Sequence, residues 1–299
     1  MSGLAYLPLE LALSVVEHAT WESEPWQLPW VASLRLISRA FDRVVAPVLF
    51  ETVEIPDDNI AALICIARQT NSPLRMTLRV LFLPHTYMDL RPEHDLAALV
   101  STLERVQDFT GPHIFFTRFH ACLGDRRLSS VFLVDPVNLW TQQVFERSSS
   151  HNDTVGYLHL IVATTDVEGN IRNPNLTRIS APYVIVDAFS LAPFERERNE
   201  REFAAFTQEL AKLFRRPTLR RLLIRIRVRS LEARTLLDVI IQRWAAETRD
   251  ERVWLDDSSP VALPLSSDES IFDGFDRGDV YRGRGLWMTG RQLYTSREE

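Results

Sequence analysis

The chain has 299 residues, of which 45% are hydrophobic and 25% charged, with a formal net charge of −6. This is the balance of a globular protein with room for one small module and one larger domain. The acidic charge disfavours a general nucleic-acid binder, and no window approaches the roughly 18 consecutive apolar residues of a transmembrane helix.

Near the N-terminus a Leu-Pro pair (Leu7, Pro8) precedes Glu10 and an apolar run. Proline fixes its own φ and lacks an N–H, so it suits a first helical turn. Leu11, Val15 and Ala19 recur at four-residue spacing with Val16 beside them, which predicts one buried helical face. A second pair, Leu28 and Pro29, opens another helix. Leu34, Ile37, Phe41, Val44 and Val48 then follow at spacings of three and four, again predicting a buried face. Pro47 is expected to interrupt that run, because the residue before a proline is pushed out of the helical region. Val48, Leu49 and Phe50 would then form a separate apolar knot. Three helices this short bury little surface, and a core below about 70 residues usually needs a partner or a second domain.

Beyond these helices, strand-like and helix-like segments alternate. Thr52–Ile55 reads as a strand, followed by a helix carrying Ile60, Leu63, Ile64 and Ala67 on one face. Met76–Leu83 is a β-rich run, and Leu96–Val106 a helix. Ile114–Phe119 and Val131–Val134 read as strands, and Asn138–Phe145 as a helix. Tyr157–Ala163 and Tyr183–Asp187 are Val/Ile-rich strands. Glu195–Phe214 is the clearest long helix. Leu219–Val228 reads as a strand, Leu231–Glu247 as a helix and Arg252–Leu255 as a last strand. The alternation predicts a mainly parallel sheet. Ser258–Glu269 has loop composition, while Leu286, Trp287 and Met288 are placed to pack back on the body.

The order of signals at the N-terminus is harder to reach by chance than any one of them. Leu-Pro-x-Glu-Leu, a polar loop, a second Leu-Pro, Ile37–Phe41 and Pro47–Phe50 together resemble an F-box, in the F-box-like form of fungal families. Three later entries, Ser72–Leu81, Asn173–Ile179 and Arg216–Ile224, each carry a Pro, a Leu soon after, a basic residue and an apolar strand. They resemble the degenerate leucine-rich repeats that follow F-boxes in such proteins. Asp250–Leu255 and Tyr281–Trp287 are similar to the C-terminal end of the same family. The resemblance implies an α+β chain with an F-box-like module at 4–51, an irregular α/β, leucine-rich-repeat-like target-binding domain at 52–257 and a loop-rich tail at 258–299. An open solenoid and a closed doubly wound α/β domain both remain compatible with the pattern. It further implies that Leu7, Pro8, Leu9, Leu11, Leu34, Ile37 and Phe41 dock on a Skp adaptor, and through it on a cullin. The function implied is the non-catalytic substrate-recognition subunit of a ubiquitin ligase. The alternatives are an F-box scaffold outside a ligase and a small α/β enzyme.

One row of basic residues invites a second role. Along Leu219–Val228, Ile224, Ile226 and Val228 point one way, and Arg225, Arg227 and Arg229 the other, because strand side chains alternate. Helices on both faces would bury three guanidiniums at large cost. A solenoid leaves one face open, so these arginines are expected to line it and to meet either solvent or an acidic or phosphorylated target.

No nucleophile elbow, His-Glu-x-x-His or phosphate loop is present in the sequence. His85, His94, His113, His120 and Cys122 fall in one region, but their spacing fits no familiar zinc site. No cofactor, metal, small-molecule substrate, nucleic acid or membrane partner is expected. Two cysteines in a chain of this length, and an N-terminus without a basic stretch or long apolar core, point to the cytoplasm or nucleus.

Overall fold

The computed structural model describes residues 8–21, 28–55, 59–82, 96–124, 126–136, 155–164, 176, 179–190, 193–228, 230–256 and 283–295. Among these are eight α-helices and nine strands, most of the strands parallel. The chain divides into two compact units, Met1–Leu81 with Met88–Val106, and Phe82–Tyr87 with Gln107–Glu299. The first therefore continues past residue 51, where a domain boundary was expected. Asn138–Phe145, Ser258–Glu269, His85 and His94 lie outside the described residues.

In the first unit α1 (Leu9–Trp21), α2 (Leu28–Leu34) and α3 (Arg39–Leu49) follow the two Leu-Pro signals. The Pro8 carbonyl accepts from the Leu11 and Ala12 amides (3.0 and 3.1 Å), so this proline starts α1 as its chemistry requires. Ser38 caps α3, its hydroxyl accepting from the Phe41 amide at 3.2 Å. Pro47 does not end this helix; it lies within the last turn. There it removes a single donor, and the Phe50 and Glu51 amides still close on Ala46 O and Val48 O. β1 (Thr52–Ile55), α4 (Ile60–Ala67), β2 (Arg79–Phe82, all but its last residue) and α5 (Leu96–Thr102) complete the unit. The Thr102 hydroxyl donates to Ala67 O at 3.0 Å and ties α5 to the end of α4.

The second unit is built on β3 (Asp108–Gly111), β4 (Ser130–Pro136), β5 (Tyr157–Ala163), β6 (Tyr183–Phe189), β7 (Arg221–Ile226), β8 (Val253–Asp256) and β9 (Arg291–Gln292), side by side in chain order. β3 to β8 are parallel, and β9 is antiparallel to β8. The helices are α6 (His113–Leu123), α7 (Arg196–Leu213) and α8 (Leu231–Thr248). The strand expected at Ile114–Phe119 is thus a helix. Phe115, Phe116, Phe119 and Leu123 are buried at helical spacing, and Phe115 and Phe119 pack on Phe82 at ring distances of 5.0 and 6.0 Å. The β-forming character of the run yields to that packing.

Strand entries repeat one hydrogen-bond arrangement. Two successive amides donate to a single carbonyl: Leu78 and Arg79 to Glu51 O, Ser129 and Ser130 to Gln107 O, Gly156 and Tyr157 to Ser129 O, Arg220 and Arg221 to Pro182 O. In the three Pro-Leu entries noted in the sequence, Leu74, Leu176 and Leu219 are all buried.

Side-chain alternation gives the sheet two distinct faces. Leu160, Val186, Ile224 and Leu255 are in register on the first. Thr164 at the end of β5 reaches from this face to Glu202 on α7. Right-handed crossovers between successive neighbouring strands place their helices on one side, and α7 and α8 pack against each other.

The Thr164 hydroxyl lies within reach of both Phe189 O, at 3.0 Å, and the Glu202 carboxyl. Burial raises that carboxyl above the ordinary glutamate value, outweighing hydrogen bonds from Thr164, Ser190 and Asn199 that favour its charged form. A raised folded-state value adds stability that is complete at low pH and is lost as pH rises through it. Glu202→Gln keeps a polar group of the same shape without the acid. Its unfolding free energy relative to wild type should therefore increase with pH between the ordinary glutamate value and the raised one, by up to about 1.4 kcal/mol per pH unit, and level off above that window. Denaturant titrations from acid to mildly alkaline pH check this; a pH-independent difference contradicts it.

Candidate functional site

Large apolar side chains are exposed unevenly. Eleven stand out among the described residues, and six of them lie between Leu9 and Ile37: Leu9, Leu11 and Val15 of α1, Trp30 of α2, and Leu36 and Ile37 in the turn before α3. Leu36 is 88% and Ile37 62% exposed. Single exposed apolar residues are ordinary, but a concentration of them marks an interaction surface.

Local structure explains which side turns outward. In α1 the partly buried residues are Ala12, Leu13, Val16 and Ala19. Small alanines on this side let α1 and α3 come close and leave Leu11 and Val15 outside, contrary to the buried face expected for them. In α2, Val31 is fully buried and Leu34 partly so, which points Trp30 away from the core. The turn carrying Leu36 and Ile37 is held from below. Arg35 Nε donates to Asp42 Oδ1 at 2.5 Å, and its guanidinium lies 5.4 Å from the Phe50 ring centroid.

Of the residues expected to dock on an adaptor, Pro8, Leu9, Leu11 and Ile37 are exposed, Leu34 and Phe41 are half-buried, and Leu7 lies outside the described residues. Val15, Trp30 and Leu36 were not singled out for docking. The available signal was that Val31 and Leu34 already form the inward stripe of α2, so a tryptophan at position 30 has no core to enter.

The arginine row requires correction. Arg225 is 1% and Arg227 4% exposed, so neither lines an open face; Arg229 lies outside the described residues. Ile224 and Ile226 are buried, and strand alternation puts them on the opposite face from the arginines, both as expected. Strand register answers the cost of burial. Asp187 of β6, Arg225 of β7 and Asp256 of β8 are direct neighbours across three strands. Arg225 Nε lies 3.4 Å from Asp187 Oδ1 and 3.5 Å from Asp256 Oδ2, and Arg227 Nε lies 3.9 Å from Asp187 Oδ1. His159 of β5 joins the row. Its ring stacks on Phe132 at 3.8 Å, and its Nε2 lies 2.9 Å from Asp187 Oδ2. Burial raises the Asp187 carboxyl, but His159 and Arg225 together outweigh it and hold the group below the ordinary aspartate value. Two carboxylates thus face two guanidiniums, with the His159 ring beside them. Arg225 and Arg227 are buried partners of these carboxylates, not members of an exposed row.

His113 and Asp135 form a smaller pair near α6. The His113 amide and Nδ1 lie 2.8 and 2.6 Å from Asp135 Oδ2, so the aspartate holds the first turn of α6. His120 packs on Phe116, and Cys65 and Cys122 are free thiols. No group of three metal-ligating side chains occurs among the described residues.

No protein-family model matches the chain, no curated protein matches it, and no solved structure matches it.

Removing one member of a buried, paired cluster strands the others. Arg225→Gln should therefore cost about 3–5 kcal/mol of stability, where a solvated arginine would cost less than about 1 kcal/mol. A carboxyl with a lowered folded-state value contributes above its unfolded value, and the contribution disappears as pH falls through the folded one. The gap between wild type and Asp187→Asn should accordingly close in acid, below the usual aspartate range. Urea unfolding at neutral and acid pH measures both effects.

Proposed function

We propose that the chain is the non-catalytic target-recognition subunit of a Skp–cullin–F-box ubiquitin ligase, with α1 to α3 docking on the Skp adaptor and the second unit holding a protein target. The observation carrying this reading is the concentration of exposed apolar side chains between Leu9 and Ile37. Three short helices with such a face gain stability from a partner that covers it. The F-box resemblance implies docking through Leu7–Leu11 and Leu34–Phe41, and the described part of these stretches includes the exposed Leu9, Leu11, Leu36 and Ile37. This reading places the chain in the cytoplasm or nucleus and gives it no chemistry of its own; it positions a substrate for a ubiquitin-loaded enzyme.

A leucine-rich-repeat-like reading of the chain beyond residue 51 has its own support. Strands follow one another in chain order, strand entries repeat the two-amide arrangement, and the Leu after each Pro is buried. These are the habits of a solenoid.

Leu9→Ala with Trp30→Ala tests the docking surface. Both side chains are exposed, so stability should change by no more than about 0.5 kcal/mol per site. Adaptor binding should weaken by about 2 kcal/mol or more, roughly thirtyfold. Titration calorimetry against purified adaptor, with a melt of each variant, reads the two effects separately. Unchanged adaptor affinity, or no binding by wild type, refutes the proposal. Capture of cullin by the assembled pair separates a ligase subunit from a scaffold.

A further inference from the structure

The second face of the sheet has two parts. One end holds the charged row. The other holds Tyr157, Tyr183, Ile185, Leu223 and Trp254, covered by the chain's own C-terminal segment Gly283–Gln292. That segment is a six-residue 3-10 helix followed by a two-residue strand. It enters the face through two buried side chains, Leu286 and Trp287. The Trp287 ring meets Tyr157 and Tyr183 at 5.3 and 5.9 Å, and those tyrosines stack on each other at 4.9 Å. Arg221 lies 3.7 Å over the Trp254 ring and donates through Nη2 to Thr289 O at 2.7 Å. Beyond Gly290 the segment pairs antiparallel with β8, the Leu293 amide donating to Val253 O at 3.0 Å.

This is how a docked peptide sits. An aliphatic–aromatic pair fills an apolar shelf, a glycine permits the turn, and a short extended piece adds to a sheet edge. Gly290 has φ +85, and a Cβ there would stand 2.7 Å from Leu255 O and 2.8 Å from Leu223 Cδ1. Only glycine fits. The parallel strands β3 to β8 and their helices are complete before this segment arrives. Tyr157, Tyr183 and Trp254 stay half-buried with it in place, so the shelf has aromatic surface to spare.

We propose that this shelf and the β8 edge form a peptide-recognition site which the C-terminal segment occupies in cis, and that a protein target binds by displacing it. The matching ligand is an extended segment with an aliphatic–aromatic pair and a glycine three residues after the aromatic residue, as Leu286, Trp287 and Gly290 show. Arg221 adds a guanidinium at the rim that binds a backbone carbonyl. The site deepens the target-holding half of the function proposed above.

The first measurement is native-state hydrogen exchange on the full wild-type chain. A displaceable segment opens without the sheet, so the Leu293 amide should exchange at least about a hundredfold faster than the amides of β6 and β7. The second is fluorescence titration with a synthetic peptide of residues 283–293. The full chain carrying Leu286→Ala and Trp287→Ala should bind it at least about tenfold more tightly than wild type, whose own segment competes. The same peptide with Gly290→Val should bind neither. Exchange of Leu293 in step with the core makes the segment a fixed part of the fold and overturns the proposal. So does equal or absent peptide binding by a folded double variant. If the double variant does not fold, the wild-type exchange result decides. No adaptor enters either experiment, so a chain that takes up the peptide yet binds no adaptor overturns only the docking role.

Discussion

Both faces of the parallel sheet in the second unit are buried, and that constraint decides where charge can stand. Parallel strands covered on both sides read as continuous apolar runs, and β5, β6 and β7 are buried at every position after the first. His159, Asp187 and Arg225 break that rule, and Asp187 and Arg225 are tolerable because they are direct neighbours of each other and have His159, Arg227 and Asp256 beside them. Slipping one strand by one residue would turn Arg225 towards the helices and leave Asp187 facing an isoleucine. A buried ion pair adds little net stability over apolar packing. What it adds here is a penalty on wrong registers, which matters in a sheet whose strands are otherwise interchangeable runs of valine, isoleucine and leucine.

The N-terminal helices present the opposite arrangement. Several of their large apolar side chains stand outside, while Ala12, Val16, Ala19 and Val31 turn inward. A sequence that places leucine and tryptophan on the surface and alanine in the core is poorly suited to isolation and well suited to association. The chain thus treats its large apolar residues in two ways. The second unit buries most of them, and the N-terminal helices leave several of theirs exposed. Leu286 and Trp287 stand between these cases, since they complete an apolar surface with side chains from a segment that the parallel sheet does not require.

The helices and strands were largely legible because their periods are local. Leu-Pro starts, the Ser38 cap and the valine-rich strands carry their meaning within a few residues. The inward side of α1 was not legible. Leu11 and Val15 make the larger stripe, but the helix turns on Ala12, Val16 and Ala19, where small side chains allow close approach. Pro47 was read as a break, although in a last turn it forfeits one hydrogen bond only. Ile114–Phe119 was read as a strand because a short apolar run has no decisive period; Phe115, Phe116, Phe119 and Leu123, taken together with the residues beyond the run, do have one. The alternation around Arg225 was legible, but its partners were not. Asp187 and Asp256 belong to other strands, and pairing them needs the register, which is a tertiary fact. A lone aspartate inside the apolar run Tyr183–Phe189 was the available hint.

The central claim is that the outward apolar surface of α1, α2 and the following turn is the partner-binding face. Hydroxyl-radical footprinting of the full chain, with and without purified Skp adaptor, tests it directly. The account predicts that oxidation of Leu9, Trp30, Leu36 and Ile37 falls sharply on adding adaptor, while Met288 and Leu231, exposed on the second unit, react as before. Unchanged oxidation of Trp30 and Leu36 in the presence of saturating adaptor would contradict it.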